Sequence, residues 1–286
     1  MVGETARLPA VLAARLQALG RAATGALYDE LALDPKPGLV SFVDTGSHTD
    51  MDAGSFMRSL FALRHYFARI AVAGAASAPF AELQALGVAA EARMLRATGG
   101  INTHRGAVFT LGLLCAAAGR LMAAGAVLTP QAVRHTLLMH WGDALRERSR
   151  HAAASNGQRA ARSCGLRPVG EEAALGFPVL FEIALPALRA ARSGGLDDRR
   201  ARLQALFDIM SVLDDTNLAH RGGLAGLRFA RQMAREFLHA GGAGRPDGLA
   251  HARAIHAAFV SRRLSPGGAA DLLAAACLLD RVCAPS

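Results

Sequence analysis

Five short stretches of the chain hold residues whose types and spacing could do chemistry, and the first contains its only lysine. In DPKPGLVSFVDTGSHTDMD, Asp34 to Asp52, Lys36 lies between Pro35 and Pro37, while every other permanently cationic side chain in the protein is arginine. Lysine is a compact, strongly hydrated point charge where arginine is a planar fork. The two prolines hold that charge on a stiff, extended arm, which loses little entropy on gripping a ligand. Further along the same stretch His48, Asp50 and Asp52 alternate, and in an extended loop alternate side chains project to one side. Carboxylates of this kind suit Mg²⁺, which keeps several waters and takes one or two protein carboxylates together with substrate phosphates. One aspartate here is also the expected cap of the helix that follows, and a cap needs only one.

The second stretch is VLDDTN. Leu203, Leu206, Phe207, Met210 and Leu213 form an apolar stripe, and helical spacing puts Asp214 and Asn217 on it, with Asp215 alongside. A carboxylate facing a core must be paired, hydrogen-bonded or metal-bound; otherwise the helix has ended by Asp214 and both acids are solvated. The third is SPGGAADLL, Ser265 to Leu273. TPQAV at Thr129 shows an ordinary helix start, a hydroxyl followed by proline. SPGG adds Gly267 and Gly268, each costing up to about 1 kcal/mol relative to alanine in a helix, so either bare backbone N–H groups cradle an anion there or the helix packs closely on a neighbour. The fourth, EARMLRATGGINTHRG, leads from Glu91 through a glycine turn to Asn102, Thr103, His104 and Arg105 at a helix mouth, again suited to phosphate, although Asn102 or Thr103 also serves as a cap. In the fifth, AHRGGLAGL, Arg221 precedes two glycines at another expected helix start. Acids for a divalent cation, cations for phosphate and glycine-marked helix starts together form the toolkit of an enzyme that handles a nucleoside triphosphate. No GxxxxGK[ST] loop occurs.

Helices must position these groups. Apolar periodicity with sensible stops predicts them over 8–33, 52–75, 79–98, 104–125, 130–150, 170–193, 197–218, 221–240, 247–263 and 266–283. The expectation is an all-α fold, a single globular domain of about ten helices spanning 1–286, without an internal repeat. Its longest irregular connection, Ser155 to Gly170, is the candidate for a mobile loop.

Composition agrees. Of 286 residues 52% are hydrophobic and only 5% aromatic, enough to bury a large core and richer in helix formers than in strand formers. The net charge of +9 points to an anionic partner. The arginines are scattered without a dense block or interleaved aromatics, which places nucleic acid second to a phosphorylated metabolite. Cys115, Cys164, Cys277 and Cys283 show no metal-ligand spacing and read as thiols of a reducing compartment. The arginine-bearing N-terminus lacks a secretory apolar core, and the apolar run from Gly106 through Gly119 falls short of a bilayer span, so no membrane and a cytoplasmic location are expected.

DPKPGLVS…GSHTDMD, EARMLRATGGINTHRGAVF, GFPVLFEIALP, DDTN…RGG and SPGGAADLLA resemble, in order and spacing, the triphosphoribosyl-dephospho-coenzyme A synthases, from about Thr24 onward. Arg105 departs from the family, which often carries lysine there. The resemblance implies a helical transferase that joins ATP to 3′-dephospho-coenzyme A and releases adenine, giving the precursor of an acyl carrier protein's prosthetic group. A phosphoribosyl-dephospho-coenzyme A transferase would consume that product. RSLFALRHYF and the free-standing chain look more like the malonate decarboxylase branch than the citrate lyase branch, and there is room for a homodimer. On residue types, Asp50, Asp52, Asp214 and Asp215 would hold Mg²⁺. Lys36, His48, Asn102, Thr103, His104, Arg105, Asn217 and Arg221 would bind substrate, and Ser265, Gly267 and Gly268 would cradle a phosphate. Glu91, Asp50 or Asp215 would deprotonate the attacking hydroxyl or stabilise the ribosyl cation. The rivals are a helical Mg²⁺-dependent nucleotide hydrolase and a nucleic-acid-binding protein.

Overall fold

Alanine- and leucine-rich segments broken by Gly, Pro and Asn fold as predicted: among the described residues every regular element is helical and no strand occurs. The computed structural model describes residues 9–151 and 165–284. In order the helices are α1 (Ala10–Ala32), α2 (Ala53–Leu63), α3 (Tyr66–Ala75), α4 (Phe80–Ala97), α5 (Arg105–Ala123), α6 (Pro130–His151) and α7 (Val169–Ala174). A π-helical segment, Val179–Ala184, leads into α8 (Leu185–Ser193), α9 (Asp198–Val212), α10 (Thr216–His239), a 3₁₀ turn (Gly242–Gly244), α11 (Gly248–Ser261) and α12 (Gly267–Val282).

Three predicted helices are divided differently. The segment 52–75 breaks at Arg64–His65 into α2 and α3, which turns Tyr66 inward so that its hydroxyl donates to the Val108 carbonyl at 3.0 Å. The segment 170–193 breaks at Gly176–Phe177–Pro178, where Gly176 and Phe177 have positive φ and the Glu172 carboxylate accepts from the Val179 N–H at 2.7 Å. The segment 197–218 stops at Val212 because Leu213 is extended and Asp215 starts α10. That helix therefore begins at Thr216, before Arg221, and has a non-helical kink at Gly223. Most of the Ser155 to Gly170 connection, up to residue 164 and including Cys164, lies outside the described residues.

The core is built around α5, which packs along α3 and also meets α1, α6 and α12. Helix α5 is long and apolar enough by composition to cross a membrane, longer than the run from Gly106 to Gly119 suggested, but 67% of its most apolar 18-residue stretch is buried against its neighbours here. Its approach to α3 depends on missing side chains. A Cβ on Gly74 would lie 2.0 Å from the Ala116 carbonyl oxygen, and one on Gly119 would lie 2.1 Å from that of Ala71. Stacked Phe207 and Phe237 rings, 3.8 Å apart, join α9 to α10. Cys115, Cys277 and Cys283 are free and buried, and burial raises the Cys283 thiol to about 11.

Helix propensity alone would make Gly74→Ala a gain of up to about 1 kcal/mol. Because the added methyl meets backbone and not a yielding side chain, we expect a loss of about 1–3 kcal/mol, measured as the shift in urea midpoint at unchanged m-value. A midpoint at or above that of the unmodified protein would mean that the α3–α5 contact is looser than described.

Candidate active site

The stiff arm from Asp34 to Asp52 lies on the connection between α11 and α12, so the first and third sequence stretches meet. The Ser47 hydroxyl donates to the Leu264 carbonyl at 2.6 Å. Arg221, on α10, donates to the carbonyls of Ser47 (3.0 Å) and Arg263 (3.1 Å). Its other terminal nitrogen lies 3.0 Å from His48 Nδ1. A guanidinium can only donate, so His48 Nδ1 must accept and the ring proton must sit on Nε2. From there it is donated to the Ser265 hydroxyl at 2.9 Å. Burial, and then the nearby Arg221 charge, lower His48 to about 4, which keeps the ring neutral. Asp50, 3.7 Å from His48, has 61% of its side chain exposed.

Behind this contact Asp215 joins two helix starts. Its Oδ1 accepts from the N–H groups of Asn217 (2.9 Å) and Leu218 (3.3 Å) at the head of α10. Oδ2 accepts from the Ala269 N–H at 3.0 Å, and the Gly268 N–H also donates to this carboxylate. The Gly267–Gly268 pair is explained by this packing: a Cβ on Gly268 would lie 3.1 Å from Asp215 Oδ2, and one on Gly267 would lie 2.9 Å from Asn217 Nδ2. The anion cradle expected at α12 is real, but the anion is the protein's own. Only 2% exposed and bonded to four N–H groups, Asp215 serves here as the joint between two helix starts, in place of the metal-binding and base roles expected of it. Burial still raises its carboxyl above the usual range.

Lys36 is also turned inward. At 1% exposure, its ammonium donates to Glu30 Oε1 at 2.5 Å and to the Glu30 carbonyl at 2.7 Å. Burial lowers Lys36, with Glu30 the largest opposing influence. The lysine is thus half of a buried ion pair and not a free phosphate ligand. Its charge still acts on His104, whose ring burial lowers to about 3, Lys36 adding to the effect. His104 Nδ1 lies 2.6 Å from the Ser59 hydroxyl, while His104 Nε2 and the neighbouring Thr103 hydroxyl are buried with no hydrogen-bond partner. Asp271, on α12, accepts from the Ala107 N–H at the head of α5 and is raised well above the usual carboxyl range by burial, then by the charges of Glu30 and Asp215. Gly106 makes room for it, since a Cβ there would fall 1.9 Å from Asp271 Oδ2.

The remaining expected residues hold their surroundings in place. Asp52 caps α2, accepting from the Ser55 N–H at 2.7 Å. Asp214 faces away, bonded to Arg231 at 2.5 Å and the Arg167 N–H at 3.0 Å. Glu91 is held by the Arg105 guanidinium, and Asn102 accepts from the Arg105 N–H at 3.1 Å, as a cap would. The four carboxylates expected to hold Mg²⁺ therefore do not converge, and no group of three or more possible ligands occurs among the described residues. Asp50 alone of the four makes neither a cap nor an arginine pair. Sequence reasoning missed Glu30, Ser59 and Asp271. The signal for Asp271 was available, a lone acid within the apolar run AADLLAAACLL.

If the Lys36–Glu30 pair is worth its burial only as a pair, Lys36→Ala should cost about 3–5 kcal/mol, since it strands a buried carboxylate beside Asp271. Lys36→Met combined with Glu30→Gln should cost less than Lys36→Ala alone. Chemical denaturation of the variants measures both, and equal losses would refute the coupling.

The family described as ATP:dephospho-CoA triphosphoribosyl transferase matches residues 16–286. A protein of Acinetobacter calcoaceticus named probable 2-(5''-triphosphoribosyl)-3'-dephosphocoenzyme-A synthase is 38% identical over 261 residues, which cover 91% of this chain and 88% of that protein. No solved structure is a significant match. With the match running from α1 through α12, and so across every group described above, the chain belongs to the ATP:dephospho-CoA triphosphoribosyl transferase family.

Proposed function

We propose that the chain, working as one helical unit over 1–286, joins ATP to 3′-dephospho-coenzyme A and releases adenine. The product is 2′-(5″-triphosphoribosyl)-3′-dephospho-coenzyme A. Family membership supports this reading, and one structural observation carries it to particular atoms. Thr103 Oγ1 and His104 Nε2 are left without partners at the mouth of α5, close enough to Lys36 for its charge to act on His104. Asp271 lies at the same helix start. Buried polar atoms without partners are rare and ask for a ligand or water to complete them.

In the reaction the acceptor's ribose oxygen forms a bond to the anomeric carbon of ATP. The bond from that carbon to adenine breaks with its electron pair, and the hydroxyl proton ends on adenine. The transition state resembles an oxocarbenium ion. Asp271 is the carboxyl suited to handle the proton: it is partly accessible, and burial among other acids holds its proton to higher pH than usual. Thr103 and His104 would orient a substrate hydroxyl or phosphate, and Arg221 would present its remaining donors beside Asp50. ATP would enter as its Mg²⁺ salt, with Asp50 the carboxylate free to meet the ion.

The finer assignment is to the malonate decarboxylase branch, supported by RSLFALRHYF. There a phosphoribosyl-dephospho-coenzyme A transferase would load the product onto an acyl carrier protein. A cytoplasmic location and a homodimer belong to the same reading.

Mass analysis of the product from ATP and dephospho-coenzyme A, with adenine release followed in parallel, tests the proposal. Asp271→Asn should lower kcat by roughly 100- to 10,000-fold while ATP binding changes by less than about threefold. Adenine released equally fast without the acceptor would instead make the protein a hydrolase, and an Asp271→Asn variant at full rate would remove Asp271 from the chemistry.

A further inference from the structure

A second cationic feature lies outside the groups described above. Where α2 ends and α3 begins, Arg64, His65 and Arg69 face Arg93 and Arg96 of α4 across a cleft of about 480 Å³. Arg64, Arg69 and Arg96 are exposed and Arg93 is half-buried. Arg64 donates to the Phe61 carbonyl at 2.6 Å, but none of the four guanidinium groups meets a carboxylate among the described residues.

Elsewhere among the described residues some surface arginines are paired and others, such as Arg15, Arg21 and Arg228, stand singly; what distinguishes the cleft is that several gather in one place. Arg105 holds Glu91, Arg134 holds Glu182, Arg192 holds Asp198 and Asp280, and Arg281 holds Asp29. In the cleft like charges stand together instead. Arg93 is lowered by burial and then by the charges of Arg69 and Arg96, so the group repels itself. Each guanidinium offers a planar fork of donors that matches phosphate oxygens two at a time, and a cleft of this volume is within the range of small-molecule sites.

Its position relates it to the candidate active site. Ser59, which meets His104 Nδ1, and Ala62, which lines the cleft, are three residues apart on α2. Met94, whose sulfur accepts from the His104 N–H, and Ala97 of the cleft are three apart on α4. The cleft and the mouth of α5 therefore share both walls and are separated by about one helical turn, roughly 5 Å along each axis.

We propose that this cleft binds the oligophosphate chain of one of the two nucleotide substrates, the triphosphate of ATP or the diphosphate of dephospho-coenzyme A. The assignment rests on the transferase reading above. The reaction brings two polyanions together, and the head of α12, which was the obvious second cradle, is filled by Asp215.

The test compares the unmodified protein with the triple variant Arg69→Gln, Arg93→Gln, Arg96→Gln and with Arg96→Gln alone, in case the triple variant does not fold. Calorimetry with inorganic pyrophosphate at constant ionic strength should show binding weakened at least tenfold in the triple variant and several-fold in the single one. Steady-state kinetics should show KM raised at least tenfold for one substrate and less than twofold for the other, which identifies whose phosphates the cleft holds, with kcat nearly unchanged. Relief of repulsion should leave the thermal midpoint equal or higher. Pyrophosphate affinity within twofold of the unmodified protein would overturn the site. Lost affinity with both KM values unchanged would overturn its assignment to a substrate. If the unmodified protein released no adenine at all, the transferase reading would fall, and pyrophosphate binding would still decide whether the cleft is an oligophosphate site.

Discussion

One buried carboxylate fixes the geometry on which the site depends. Asp215 accepts N–H groups from the first turns of α10 and α12 together, so two helices distant in sequence start from a common anion. A helix start carries unpaired donors and a partial positive charge, and two such starts would repel each other if brought together bare. The shared carboxylate turns that repulsion into a joint, and Gly267 and Gly268 are the space it occupies. Everything at the α12 head follows: Ser265 reaches His48, and Asp271, one turn further along, meets the mouth of α5.

A second electrostatic layer lies beneath the joint. Asp271 lies within range of the charges of both Glu30 and Asp215, and Lys36 is the cation that offsets one of them, since it is bound directly to Glu30. An arginine fork would require more donors to be satisfied in that pocket than the single ammonium does. The sole lysine is thus explained by its enclosure, and its charge reaches His104 at the mouth of α5.

Much of the fold was legible because its signal is local. The apolar period and the Gly, Pro and Asn breaks located nearly every helix, and the proline arm meets the final glycine-led helix through the contacts of Ser47 and His48. The errors share one cause. Residue type and spacing show that a group is special without showing whether its partner is a ligand or another part of the chain. Lys36, Asp215 and the two glycines stand out by type, and each is satisfied internally, by Glu30, by four backbone N–H groups and by the space Asp215 and Asn217 need. Asp52 and Asn102 took the capping role that had been weighed for them. The division of the segment 197–218 was missed because Leu213 continues the apolar stripe while its backbone is already extended. Asp271 was passed over because it lies within an apolar run, where its significance depends on Gly106, more than 160 positions earlier in the sequence.

The central claim, that the head of α12 is filled by Asp215 and not by substrate phosphate, is tested most directly by amide hydrogen exchange at Gly268 and Ala269. Both amides should exchange slowly in the free protein and at the same rate when saturated with ATP. Fast exchange in the free protein, with protection appearing only when ATP is added, would show that the nucleotide takes those donors and would contradict the account.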